Sequence, residues 1–495
     1  MTHRLPSLPA VRDPACARHL AVPLVAALVL SACGTPTAYQ RTSVAVPERF
    51  AQSAAAVPAP SEASADTAAR QALSPWWLTL GDADLTALIN DALARNNNLA
   101  QAALRVRRAQ LVAAQAASDQ LPSVVVRGNS TASQLLEGGP TTRQNTATAA
   151  VTWEADLWGR LASLRSAADW EAQATEQDRI AAAQSLVATT ANQYFQVAFL
   201  NQRIQASQQS IDYAKRTLQL VKAQYDNGST SGLELSQATQ AVASQEAAHT
   251  LFLLQRVQAR NALAILFDGP PGVALNEAQR LPEGSLPEVP AGVPSELLAR
   301  RPDVRASELR LRRSLAQADA TRASFYPTLT LTGSVGGSST ALSRVLSDPI
   351  GTLGAGLVLP FVQFRDMRRN IAISQTDYES AVIGWRQSWY SALSDVDNAL
   401  ASRLQYEQQG VRLLEAVTAA RNTERLAEVR YRAGAVPLKT WLDAQETRRQ
   451  AEIGLAQSRL NRLNAMVTLY QVLGGDVSAA STRQGAVNPQ TGPHG

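Results

Sequence analysis

Cys33 is the first residue whose chemistry stands out. It closes the run Leu30-Ser31-Ala32-Cys33, behind Arg4, Arg12, Arg18 and an apolar stretch from Ala21 to Leu30. Charge, apolar stretch and small residues in that order make an export signal, and the stretch is too short to span a bilayer. Small residues ahead of the cysteine admit a peptidase, and the thiol then takes a diacylglycerol. Leu30-Ser31-Ala32-Cys33 thus resembles the bacterial lipobox, so residues 1–32 read as a lipoprotein signal peptide and Cys33 as the lipid anchor, the alternative being an ordinary signal peptide with a chance cysteine. Cys16, the other cysteine, leaves with the signal, so no disulfide forms within the mature chain.

Catalytic chemistry needs a nucleophile with its base, an acid–base pair or a metal cluster. Of the four histidines, His3 and His19 fall in the signal and His494 in the tail, leaving His249 on a helical stretch without ligand spacing around it. Gly333-Ser334-Val335-Gly336-Gly337-Ser338 follows a strand pattern but leads into no helix and carries no lysine, so it makes no phosphate cradle. The expectation is a non-enzyme with no catalytic residue, no metal and no cofactor beyond the lipid. The formal charge of +5 drops to +3 once the three Arg and one Asp of the signal are removed, and it is spread without blocks, which gives no footprint for nucleic acid.

What must position such a lipid anchor is a long chain with few aromatics. Hydrophobic residues make up 45% of the 495, yet only 5% are aromatic, so the apolar content is largely Ala, Leu and Val and suits long helices. Residues 33–75, rich in Ala, Pro, Ser and Thr, read as a lipidated N-terminal tether. Beyond them the chain repeats itself. Leu104-Arg105-Val106-Arg107-Arg108 recurs as Leu309-Arg310-Leu311-Arg312-Arg313, Leu121-Pro122-Ser123 as Tyr326-Pro327-Thr328, and Tyr225-Asp226-Asn227-Gly228 as Tyr431-Arg432-Ala433-Gly434. The repeats span 76–268 and 295–475, joined by a connector at 269–294 and followed by a tail at 476–495.

Each repeat predicts the same order of elements. A helix stops at Pro122 or Pro327, where the ring and the missing N–H forbid continuation. Strands follow at about 123–156 and about 328–361, with Leu329, Leu331, Gly333 and Val335 alternating with Thr328, Thr330, Thr332 and Ser334. Long proline-free helices come next, at 160–226 and 365–432, each on the order of 100 Å at 1.5 Å per residue. Val197, Ile204, Ile211, Leu218 and Tyr225 recur every seven residues, a coiled-coil seam. Both long helices end at glycine, Gly228 and Gly434, and return helices run at 233–267 and 438–473.

Four strands per chain leave open edges, and lipid offers no partner to an edge. Two copies would make a filled eight-stranded barrel, and three would make twelve strands around a lumen. A soluble sandwich remains the alternative for the strands, and a periplasmic lipid-anchored coiled-coil scaffold without a pore for the helices.

The tandem architecture, the lipid-anchor motif, Trp153-Glu154-Ala155-Asp156-Leu157-Trp158-Gly159-Arg160, Tyr431-Arg432-Ala433-Gly434 and Leu442-Asp443-Ala444-Gln445 together resemble the TolC superfamily, and within it the OprM/NodT-type outer-membrane lipoproteins of RND efflux. The resemblance covers about 76–475. It implies a mostly α fold with a small β part, assembled as a homotrimer whose transmembrane β-barrel continues into a long periplasmic α-helical barrel. It also implies a passive outer-membrane channel of a tripartite efflux system, served by a periplasmic adaptor (membrane fusion protein) and an inner-membrane RND-type pump. A type I protein secretion duct has the same fold. The resemblance places the channel gate at Asp443, Tyr431 and Glu234, with the periplasmic tip turns at Gly228 and Gly434. The second aspartate of some relatives is Thr440 here, and their tip arginine is Val436.

Overall fold

A computed structural model describes residues 37–40, 75–273, 276–284, 286–287 and 300–475. Cys33, the signal, most of the tether and the tail lie outside the described residues. In chain order the main elements are α1 (Ala83–Arg95), α2 (Asn97–Ser118), β1 (Ser123–Ser133), β2 (Thr142–Ala155), α3 (Arg160–Asp226), α4 (Gly232–Ile265), α5 (Pro302–Ala323), β3 (Thr328–Ser339), β4 (Ile350–Val358), α6 (Phe364–Arg432) and α7 (Leu438–Val472). The helices stop short of Pro122 and Pro327, and α3 and α6 run unbroken for 67 and 69 residues.

The chain divides into two compact units. Of the described residues, one holds 37–40, 107–173 and 308–384; the other holds 75–106, those between 174 and 307, and 385–475. The first unit holds a four-stranded antiparallel sheet in the order β1-β2-β3-β4, so that β1 and β4 are its edges. Residues directly opposite in an antiparallel pair share a face. Val124 pairs with Val151, Val126 with Ala149, Val151 with Gly333, Trp153 with Leu331, Leu329 with Leu357 and Gly333 with Leu353. One face therefore carries Val124, Val126, Ala149, Val151, Trp153, Leu329, Leu331, Val335, Leu353 and Leu357. The other carries Thr146, Thr148, Thr152, Thr328, Thr330, Thr332, Ser334 and Thr352 by the same registers.

Most of the sheet is open on both faces; the exception is the end next to the loop after β3, which lies over Gly337, and there Val345 and Asn145 are each 6% exposed. Every residue of β1 and β4 is exposed, and on the apolar face Val126 is 78% and Leu353 92% exposed. Aromatics gather where strands meet helices: Trp153 Nε1 donates to the Gln120 carbonyl, Trp158 Nε1 to the Pro327 carbonyl at 2.7 Å, and Trp158 stacks on Tyr326 with centroids 5.1 Å apart. Gly337 has no room for a side chain, because a Cβ there would overlap the Val345 carbonyl in the loop that follows β3.

The second unit contains the main hydrophobic core. Trp76 and Trp77 are buried against Leu85 and Ile89 of α1, Tyr194, Phe195 and Leu200 of α3, and Leu463, Val467 and Tyr470 of α7; Trp76 stacks on Tyr470 at 5.1 Å. Part of the connector joins this core through Leu281, which is 2% exposed, while Glu277 pairs with Arg260 and accepts from Asn201. Among the described residues no helix is long and apolar enough to cross a membrane.

Candidate channel gate

The sequence-predicted gate residues all lie in the second unit, around two matching turns. At the first, Gly228 adopts φ 68°; its N–H bonds the Tyr225 carbonyl at 2.9 Å and the Ser229 N–H bonds Gln224 at 2.8 Å. At the second, Gly434 adopts φ 72°, with its N–H on the Tyr431 carbonyl and the Ala435 N–H on Arg430, both at 2.9 Å. Each is a Schellman cap in which the left-handed residue satisfies the last carbonyls of a long helix. The return helices α4 and α7 begin within a few residues of these caps.

Side chains from all four helices meet at the turns. Trp441 of α7, 2% exposed, stacks on Tyr431 of α6 at 5.3 Å and meets Tyr213 of α3 edge-on at 6.3 Å, with Val221, Ala238, Ala427, Leu438 and Ala444 buried around it. Polar contacts cross between the repeats. The Tyr431 hydroxyl donates to Gln224 at 2.8 Å, and the Tyr213 hydroxyl to Glu428 at 3.4 Å. Glu234 accepts from the Leu438 N–H at 3.3 Å and from the Thr230 hydroxyl, so its carboxylate caps the N-terminus of the other repeat's return helix.

Burial shapes the titration of both tyrosines. Burial and the charges of Glu424 and Glu428 push Tyr213 up to about 12, and burial and the Glu234 carboxylate raise Tyr431. Both phenols stay neutral donors at ordinary pH. Arg448 pairs with Glu424 and, at 2.8 Å, with Glu452, tying α7 to α6 just beyond this cluster.

Asp443 stands apart from the buried group. Its side chain is 63% exposed, and both its oxygens are held by the Lys439 ammonium one turn earlier, at 2.8 and 2.7 Å. The expected gate residues thus divide: Tyr431 and Glu234 belong to the packed junction, whereas Asp443 is a surface carboxylate with its own counter-ion. His249 contacts the Ser207 hydroxyl at 3.3 Å, and among the described residues no three metal-ligating side chains come together.

Comparison with known proteins places this architecture. A sequence model described as Outer membrane efflux protein matches residues 88–267 and 293–475, one segment in each repeat. The chain belongs to that family. The pyoverdine export outer membrane protein OpmQ of Pseudomonas putida is 32% identical over 475 residues, covering 94% of this chain and 98% of that protein. The probable efflux pump outer membrane protein TtgC of the same organism is 29% identical over 462 residues, covering 91% and 94%. The open state of the Neisseria gonorrhoeae MtrE outer membrane channel superposes with TM-score 0.78 at 27% identity, over 90% of this chain and 98% of that one.

For this outer membrane efflux protein, the sequence pattern passed over three side chains that the structure brings into play. Gln224 receives the Tyr431 hydroxyl, and its signal was its place four residues before the turn glycine Gly228 of the first long helix. Lys439 lies at the i, i+4 spacing from Asp443 that a helix turns into contact, which the numbers alone make readable. Arg301 is buried where it bonds Asp303 at 2.7 Å, Asp395 at 3.1 Å and the Ala392 and Val472 carbonyls, joining the start of α5 to α6 and α7. Burial would lower its pKa, but the two carboxylates outweigh that and raise it.

Proposed function

We propose that the chain is the passive outer-membrane duct of a tripartite efflux system, anchored by lipid on Cys33 and built from three copies. The observation that carries this reading is the sheet: among the described residues it has four strands in sequence order, two unpaired edges, one apolar and one hydroxylated face, and only the loop after β3 lying over one end of it. A soluble antiparallel sheet buries at least one face. A sheet bare over most of both sides fits a barrel wall, with lipid on the apolar side and water on the hydroxyl side. Its strands of 9 to 14 residues match the roughly 9–11 that a tilted strand needs to cross a bilayer. Closing the edges takes further copies, and three provide twelve strands and an open lumen. The aromatics at the helical end of the sheet suit the headgroup level.

In this reading the Gly228 and Gly434 turns form the periplasmic tip that meets the adaptor, and the junction of Tyr431, Gln224, Glu234 and Trp441 holds the tip together. Asp443 from each copy gives a ring of carboxylates. The duct takes whatever the inner-membrane RND-type pump delivers; pyoverdine export and drug-type efflux, for which relatives are named, are the substrate classes to try first. Planar-bilayer recording tests the function. Purified protein inserted into bilayers is expected to give discrete conductance steps that grow with salt concentration, larger still in a Tyr431→Ala variant whose junction is loosened. Silence from both proteins, each correctly inserted, would favour a scaffold without a pore.

A further inference from the structure

Residues 37–40, the described part of the N-terminal stretch, are held on the first unit. Within the first unit, the Thr37 N–H donates to Asp319 Oδ2 at 2.8 Å and its hydroxyl to Asp319 Oδ1 at 2.6 Å, across a sequence separation of 282 residues. Asp319, on α5, is 9% exposed and accepts in addition from Arg322 at 3.2 Å. Two residues further on, the Tyr39 ring lies beneath the Arg312 guanidinium, 4.7 Å from its centroid, and the same guanidinium sits 5.3 Å from the Trp170 ring of α3. Glu308 holds Arg312 from one turn back at 2.8 Å. A carboxylate taken this far out of water is costly unless hydrogen bonds satisfy it, and Thr37 supplies two of them.

The order of the contacts gives a direction. Arg312 and Asp319 are seven residues apart, so they share a face of α5 and are separated by about 10 Å along it. Tyr39 sits at Arg312 and Thr37 at Asp319, so the chain, followed back toward its start, moves toward the end of α5 that leads into β3. Asp319 is four residues from the last residue of α5, roughly 6 Å along the axis. Cys33 is four residues before Thr37, at most about 14 Å away along an extended chain. The lipid-bearing residue is therefore kept within reach of the strand end of this unit, where Trp158 and Tyr326 stack.

We propose that Asp319, Arg312 and Trp170 form a seat for residues 37–40, which fixes where the lipid anchor enters the membrane relative to the strands. The proposal rests on Cys33 being the acylated residue. With the seat filled, the anchor acts on the sheet-bearing unit directly. With the seat empty, the same lipid acts through the whole tether and sets no depth.

A nitroxide on Ala38→Cys reads the seat, since Ala38 is exposed and an acylated Cys33 has no thiol to label. Full-length protein extracted from membranes is expected to show an immobilised spectrum. Thr37→Pro, which removes both donors in a segment that contributes nothing to either core, is expected to abolish the immobilised component, and Asp319→Ala to do the same. Palmitate labelling of the same preparations is expected to be unchanged by either substitution. A spectrum that stays immobilised in both variants overturns the seat. If Cys33 carries no palmitate, the spectra are recorded with Cys16→Ala and Cys33→Ala so that only position 38 is labelled; an immobilised component lost in Thr37→Pro then leaves the seat standing and overturns the anchoring reading instead.

Discussion

At the scale of single residues, the proposed gate turns on Asp443 and Lys439, which would set the charge presented to the lumen near the tip. A ring of three carboxylates in a narrow neck concentrates cations. In this chain the Asp443 carboxylate has the Lys439 ammonium on both oxygens, so in the proposed trimer the ring would be nearly neutral, although an exposed pair of this kind contributes little stability. Lys439→Ala is therefore expected to raise cation selectivity and block by trivalent cations, and Asp443→Asn, which leaves the lysine alone, to shift selectivity toward anions. Reversal potentials in a salt gradient measure both; if neither substitution moves them, Asp443 does not face the conducting path. The aspartate was legible through its Leu-Asp-Ala-Gln setting, but its counter-ion was visible only as a spacing. For Tyr431 and Glu234, helix packing decides the partners. Tyr431 reaches Gln224 on the first long helix, and Glu234 reaches the backbone of the opposite return helix. No local pattern announces either contact.

Elements are where the sequence spoke most clearly. Proline stops α2 and α5, glycine turns α3 and α6 back, and both effects act within a few residues. Gly434 needs its left-handed φ of 72°, with nothing within 4 Å of a Cβ. Gly434→Ala is therefore expected to cost about 1 kcal/mol from backbone strain alone. Gly410, inside α6 with only ordinary contacts around a Cβ, is expected to respond the other way, Gly410→Ala gaining about 0.5–1 kcal/mol. Denaturant unfolding followed by circular dichroism compares the two, and equal effects would remove the cap argument. The strand faces were likewise legible from alternation, and they make a sharper test. Val126→Lys on the apolar face, paired with Ala149 some four residues along from the Trp153 level, is expected to cost about 2 kcal/mol, whereas Thr148→Lys, on the hydroxyl face at a neighbouring depth, should cost little. The amount of heat-modifiable, folded protein in the membrane reports the difference, and equal losses would mean that the sheet does not face lipid. What alternation does not contain is the pairing of β2 with β3, in which Asn145 meets Ser339 and Ala155 meets Leu329. Contacts nearly two hundred residues apart carry no short-range signature.

For the whole molecule, the account depends on association. Large side chains such as Val126, Leu353 and Leu357 are exposed, and both sheet edges are unpaired; an isolated chain in that condition would aggregate. The internal duplication, plain in the sequence, explains why four strands and two long helices come from one chain. Copy number is a property of barrel closure, which no single chain encodes locally. Light scattering of the detergent-solubilised protein, corrected for bound detergent, tests this most directly. The expected result is a particle with the protein mass of three chains that keeps its helical circular dichroism. A particle with the mass of one chain and the same circular dichroism would contradict it.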